Sequence, residues 1–169
     1  MAIRPIVTTP DPVLRRKAHK VTAFDKDLQV LIDDMIDTLR DAPGVGLAAP
    51  QVGVSQRLIV VEYGDDEDES VPKKLYVVLN PEIVAASEEM VDGVEACLSI
   101  PQVAGNVTRH QKVTVKGLNR YGKPLKIKLE DWTARIFQHE IDHLDGVLYT
   151  DRATKVWRVK EDETVTDEV

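Results

Sequence analysis

Residues 139–143 read His139-Glu140-Ile141-Asp142-His143, an H-E-x-x-H pattern, and no other run constrains the fold as tightly. On a helix two imidazoles four residues apart lie one turn apart on the same face. Both can then reach one metal ion, and Glu140 projects beside them, close enough to accept a proton from water there. The surrounding residues agree with this reading. A helical pattern begins near Asp131 and stops at Gly146, with Trp132, Ile136, His139 and His143 along one face. The plain alternative is a surface helix carrying two solvated histidines.

Such a helix supplies two ligands, and the third decides the chemistry. One zinc peptidase pattern continues x-x-G-x-x-H; Gly146 fits it, but Tyr149 stands where the last His belongs. Another takes a carboxylate about twenty residues on, where Glu161 and Glu163 lie in a segment without a helical apolar stripe. The remaining candidate is Cys97, the only cysteine, in Glu95-Ala96-Cys97-Leu98-Ser99-Ile100-Pro101. A lone Cys is commonly core filler. Beside an H-E-x-x-H helix, a thiolate is the better ligand for a soft or borderline ion. One Cys and two His leave a fourth position for water, the arrangement of a catalytic site.

The rest of the chain predicts an α+β fold, with short, mainly antiparallel strands packed around a central metal-binding helix in a single domain. Leu28, Leu31, Ile32, Met35 and Leu39 recur at helical spacing, with Asp25 as N-cap and Pro43-Gly44 as a stop. Strand-like runs follow at residues 58–63 and 75–79, with another expected at 81–85. Residues 113–115 and the strictly alternating 125–129 flank a turn-rich stretch and predict a hairpin. The apolar pattern weakens after Asp151, so a domain over residues 1–151 and a short acidic, partly mobile tail over 152–169 are expected.

The chain carries 29 Asp and Glu against 22 Lys and Arg, which at first argues against an RNA partner. The acid is concentrated, however, with six residues in 62–69 and five in 161–169, and without those runs 18 acidic residues face 22 basic ones. Residues 109–128 hold seven Lys and Arg and no acid, so the predicted hairpin is the expected point of any attraction to RNA. No apolar run is long enough to span a membrane, and there is no signal-peptide pattern, phosphate loop or internal repeat. With its single cysteine this points to the cytoplasm.

Three ordered segments together resemble the peptide deformylases: Gly44-Val45-Gly46-Leu47-Ala48-Ala49-Pro50-Gln51, then Glu95-Ala96-Cys97-Leu98-Ser99, then Gln138-His139-Glu140-Ile141-Asp142-His143-Leu144-Asp145-Gly146. Pro10-Asp11-Pro12-Val13-Leu14-Arg15 also fits. Read alone, the first segment is a helix-ending loop with glycines for turns, or a low wall that lets a substrate approach. Gln51 is the polar group such a loop would present.

The resemblance implies a hydrolase that removes the formyl group from the formyl-methionine of nascent polypeptides and releases formate. It implies Cys97, His139 and His143 as ligands of one divalent ion, Fe(II), with Zn, Ni or Co able to replace it. Glu140 would be the base, and Gln51 and the Leu98 backbone N–H would hold the oxyanion. Val45, Gly46, Ala96, Trp132 and Ile136 would border the substrate. Glu95 or Asp142 is expected to orient an imidazole, with Arg109 paired to one of them. Arg135 is expected either to border the pocket with its stem or to point to solvent.

Two departures stand out. Ala96 replaces the family's usual Gly, which would crowd the substrate strand unless φ there is negative. The segment after Asp151 is acidic, unlike the longer basic helix with which some bacterial members dock on the ribosome. Expected partners are therefore formyl-methionyl nascent peptides and a transient ribosome contact, with no membrane and no specific DNA. The competing readings are a zinc peptidase with a tail carboxylate, and a non-catalytic metal- or peptide-binding protein. Glu140 and Gln51 argue against the latter, since holding a metal needs neither.

Overall fold

The structure, a computed structural model, describes residues 2–65 and 67–160. Glu161 and Glu163, weighed above as ligands, and the acidic end of the chain lie outside the described residues.

Helix α1 (Lys26–Asp41) begins where Asp25 accepts a hydrogen bond from the Leu28 N–H at 3.0 Å, as expected of an N-cap. After it come β1 (Gly46–Ala48), β2 (Leu58–Tyr63), β3 (Lys74–Ala86), β4 (Met90–Cys97), β5 (Ile100–His110), β6 (Lys112–Leu118) and β7 (Pro124–Glu130). Helix α2 (Asp131–Leu144), the single-turn helix α3 (Tyr149–Arg152) and β8 (Lys155–Arg158) close the described chain. All strand pairs are antiparallel, in one sheet of order β1-β2-β3-β6-β7 and a second of order β4-β5-β8. No helix among the described residues is long and apolar enough to cross a membrane.

Strand β2 shows why the larger sheet has helices on both faces. Ile59 and Val61 pack with Ile136, Phe137 and Ile141 of α2, whereas Leu58 and Val60 pack with Leu31, Ile32 and Met35 of α1. Period-two alternation therefore feeds two cores, and all four side chains are fully buried. Farther out only one face is covered. Val113, Val115 and Leu129 turn toward α2, and the lysines that alternate with them stay in water.

Three expectations are corrected. Some strands are long, thirteen residues for β3 and eleven for β5, because the runs at 75–79 and 81–85 are one strand carried across register shifts. Of the β4–β5 hairpin the sequence predicts only a short extended segment between Gly93 and Pro101, because its buried positions mix Glu95 and Arg109 with Ala104 and Val107 and give no regular apolar row. The fold also runs past Asp151. Val156 and Trp157 of β8 pair with Gly105 and Ala104, so the ordered body extends at least to Arg158 although its apolar pattern is weak.

Candidate metal centre

The centre is assembled from one helix and one hairpin. Helix α2 supplies His139 and His143, and Cys97 ends β4, just before the two-residue turn Leu98-Ser99 that leads into β5. The register breaks at this point: Ala96 pairs with Ala104, but Cys97 pairs with Ile100. The extra residues of β5 form a bulge with Gln102 at φ +63°, which re-aims the chain beside the cysteine.

One ligand atom from each of Cys97, His139 and His143 lies within 4.8 Å of the others, and all three residues are buried. Sγ of Cys97 is 3.4 Å from Nε2 of His143. Nδ1 of His139 is committed to Glu95 Oε1 at 2.8 Å, and its buried Nε2 has no hydrogen-bond partner among the described residues. Tyr149 stacks on the His139 ring, with centroids 5.7 Å apart, so the imidazole is held from the side as well. Burial disfavours a proton on His139, yet nearby Cys97 and the hydrogen bond to Glu95 hold its pKa up, while burial beside His139 pushes His143 well down. The three ligand atoms thus surround the place a divalent cation would take. A thiolate and two imidazoles suit such an ion.

Glu140 is fully buried, and neither carboxylate oxygen has a hydrogen-bond partner among the described residues. Burial drives its pKa up to about 7, and nearby Glu95 adds to the rise while His139 opposes it. A carboxyl poised there can take and return a proton near neutrality. Gly46 of β1 makes room for it: a Cβ at that position would sit 2.5 Å from Glu140 Oε2 and 2.9 Å from its Cδ. The close approach read from the glycine is therefore, at least in part, the approach of Glu140.

Gln51 is completely buried and held at both ends of its amide. Its Oε1 accepts from the Ala48 N–H at 3.0 Å, and its Nε2 donates to Ser99 Oγ at 3.1 Å and Cys97 Sγ at 3.5 Å. The amide N–H groups therefore point at the Cys97–Ser99 turn, which also carries Leu98. Ala96 lies in β4 and is not among the residues with positive φ, so extended backbone accommodates its methyl. Ile136 is fully buried in the core between α2 and the larger sheet, with Val45 and Trp132 half-buried at its edge.

Between Glu95 and Asp142, the structure selects Glu95 as the imidazole's acceptor. Burial opposes its charge, but bonds from Arg109 and His139 hold its carboxyl well below the usual carboxylate range. Arg109 pairs with both acids, donating to Glu95 at 2.8 and 2.9 Å and to Asp142 at 2.6 Å. Asp142 turns away from the histidines to Arg152. Arg135 neither reaches solvent nor borders the pocket with its stem alone; it is buried and donates to Glu95 Oε2 at 2.6 Å. Sequence reasoning missed this pair, whose one signal was a basic residue a turn before the first His of a buried helix.

A model of one family, described as polypeptide deformylase, matches residues 3–159. A peptide deformylase of Symbiobacterium thermophilum is 54% identical over 162 residues, 96% of this chain and 72% of that protein. One from Natranaerobius thermophilus is 50% identical over 95% of this chain and 99% of its own length. Among solved structures, the class I type b peptide deformylase of Acinetobacter baumannii with Met-Ala-Ser bound is similar at a TM-score of 0.83. It is 36% identical, with 89% of this chain and 98% of that chain covered.

Proposed function

The chain belongs to the polypeptide deformylase family, and from that premise we propose which of its residues carry out the reaction. The protein is a metal-dependent hydrolase that removes the formyl group from the N-terminus of nascent polypeptides. Cys97 through Sγ and His139 and His143 through Nε2 would hold the ion, for which Fe(II) is our choice and Zn, Ni or Co the alternatives. When bound, such an ion polarises the formyl carbonyl and makes water more acidic. Glu140 takes the proton shed by the attacking water and delivers it to the amine as the formyl C–N bond breaks. The Gln51 amide and the Leu98 N–H donate to the oxygen on which negative charge develops. The observation that carries this reading is the Glu140 carboxylate, fully buried and without a hydrogen-bond partner among the described residues, next to the Cys97, His139 and His143 cluster.

The methionine side chain has its candidate wall in Val45, Trp132 and Ile136, which pack into one core cluster, with Gly46 and Ala96 on the flanking strands. Among the described strands β1 and β4 end their sheets, so each presents a strand edge to an extended peptide. The relative solved with Met-Ala-Ser bound supports a peptide that starts with methionine. Protein purified without oxygen should contain about one equivalent of metal and release formate from a formyl-methionyl peptide. Full metal occupancy with no formate would refute the assignment.

We place the working enzyme in the cytoplasm, with a transient ribosome contact through the outer face of β6–β7. Of the seven basic residues in 109–128, Arg109 of β5 is buried against Glu95 and Asp142, and the partly exposed Arg120 pairs with Asp33. The lysines remain outside. Lys116 stands directly across from Lys126, and Lys128 follows on the same face. Like charges opposite one another destabilise a hairpin, which favours a polyanion as their counterpart. Reversing Lys116, Lys126 and Lys128 to Glu should weaken ribosome association and flatten its salt dependence; unchanged binding would count against this contact.

A further inference from the structure

The metal ligands sit on two separate elements, so something must hold α2 and the β4–β5 hairpin at a fixed spacing. Arg135 does this from the helix side. Its Nη1 donates to Glu95 Oε2 at 2.6 Å and to the Val107 carbonyl at 2.9 Å, and its Nη2 donates to the Val91 carbonyl at 2.6 Å. One side chain of α2 therefore grips both strands of the hairpin that ends in Cys97. The guanidinium also lies over the Trp132 ring, 5.3 Å from its centroid.

Strand β4 is cut to receive it. A Cβ at Gly93 would lie 2.7 Å from Arg135 Cζ and 2.9 Å from its Nε and Nη2. That glycine has negative φ, so the space, and not the backbone conformation, is what an alanine would lose. With Arg135 in place, both oxygens of Glu95 are doubly bonded. Oε1 accepts from Arg109 and His139, and Oε2 accepts from Arg109 and Arg135. Arg109 alone would already neutralise the carboxylate. A second buried guanidinium adds a further desolvation penalty, so net stability is a poor reason for it.

We propose that Arg135, seated in the notch left by Gly93, is a positioning residue that sets the spacing between Cys97 and the two histidines and fixes the His139 ring through Glu95. The proposal rests on the assignment of Cys97, His139 and His143 as ligands. Groups of this kind alter metal affinity by about 10–100-fold when removed.

The test uses full-length protein loaded anaerobically with Co(II): wild type, Arg135→Met, Arg135→Lys, Gly93→Ala and the Arg135→Met/Gly93→Ala double variant. The readouts are the Co(II) visible bands and thiolate charge-transfer band, the rate of Co(II) loss to EDTA, and kcat and KM separately. Arg135→Met and Gly93→Ala should each shift the spectrum and release Co(II) at least about tenfold faster, with kcat lowered and KM little changed. Gly93→Ala should add nothing once Arg135 is Met, and Lys should restore part of the wild-type spectrum. Folded single variants with wild-type spectra and release rates would overturn the proposal, as would additive effects in the double variant. Should Arg135→Met not fold, wild-type spectra and release rates in both Gly93→Ala and Arg135→Lys would overturn it. Failure of the ligand assignment looks different: the wild type itself would then show no thiolate charge-transfer band.

Discussion

Replacing Glu140 with Gln is expected to leave the metal bound and to lower formate release by about 10²–10⁴-fold, the usual contribution of a general acid–base group. The upper end is the expected value because one carboxylate serves twice, first as base toward water and then as acid toward the leaving amine. Gln matches Glu in shape, so the packing against Gly46 survives and only proton transfer is lost. The thermal midpoint should not fall, since the wild-type carboxylate is buried without a hydrogen-bond partner among the described residues. A stability cost for holding an unpaired acid is expected at a catalytic position. Metal analysis, a formate assay and a melting curve on the same preparation test all three statements. Activity equal to wild type would remove Glu140 from the reaction.

Replacing Glu95 with Gln should have the largest effect on folding. This side chain is wholly buried and is the common counter-ion of Arg109 and Arg135, each only 4% exposed. Removing one member of a buried ion pair leaves the other charge uncompensated and costs about 3–5 kcal/mol. Arg109 keeps Asp142 and Arg135 keeps two backbone carbonyls, which places the expectation toward the lower end of that range. In urea, where small domains lose about 1–3 kcal/mol per molar, the midpoint should drop by about 1–3 M. The amide would also offer His139 a weaker acceptor, so metal should be lost more readily. A midpoint within about 0.2 M of wild type would show that the network contributes little to folding.

The parts of the fold visible in the sequence are those whose buried residues are apolar at a regular period. Helix α1, strand β2 and the β6–β7 hairpin meet that condition, and their expected limits agree with the observed ones to within a few residues. Hairpin β4–β5 does not, because hydropathy patterns register apolar burial and are blind to ionic burial. The same blindness hid Arg135, since a charged residue one turn before the histidines reads as solvent-facing until the carboxylate it meets is located in space. The candidate cluster was legible for a different reason: His139 and His143 carry their geometry in local spacing, and Cys97 is the only thiol in the sequence. Glu95 and Asp142 could not be separated by sequence, because that choice depends on which of them a strand brings to the back of His139.

Gly46 and Glu140 lie 94 positions apart in the chain, yet they form one heritable unit. A survey of substitutions would record position 46 as an intolerant loop residue and position 140 as a catalytic one, as though for separate reasons. The reason is shared, because any side chain added at 46 displaces the carboxylate at 140. Variation at the glycine is thereby closed for as long as the glutamate is in use.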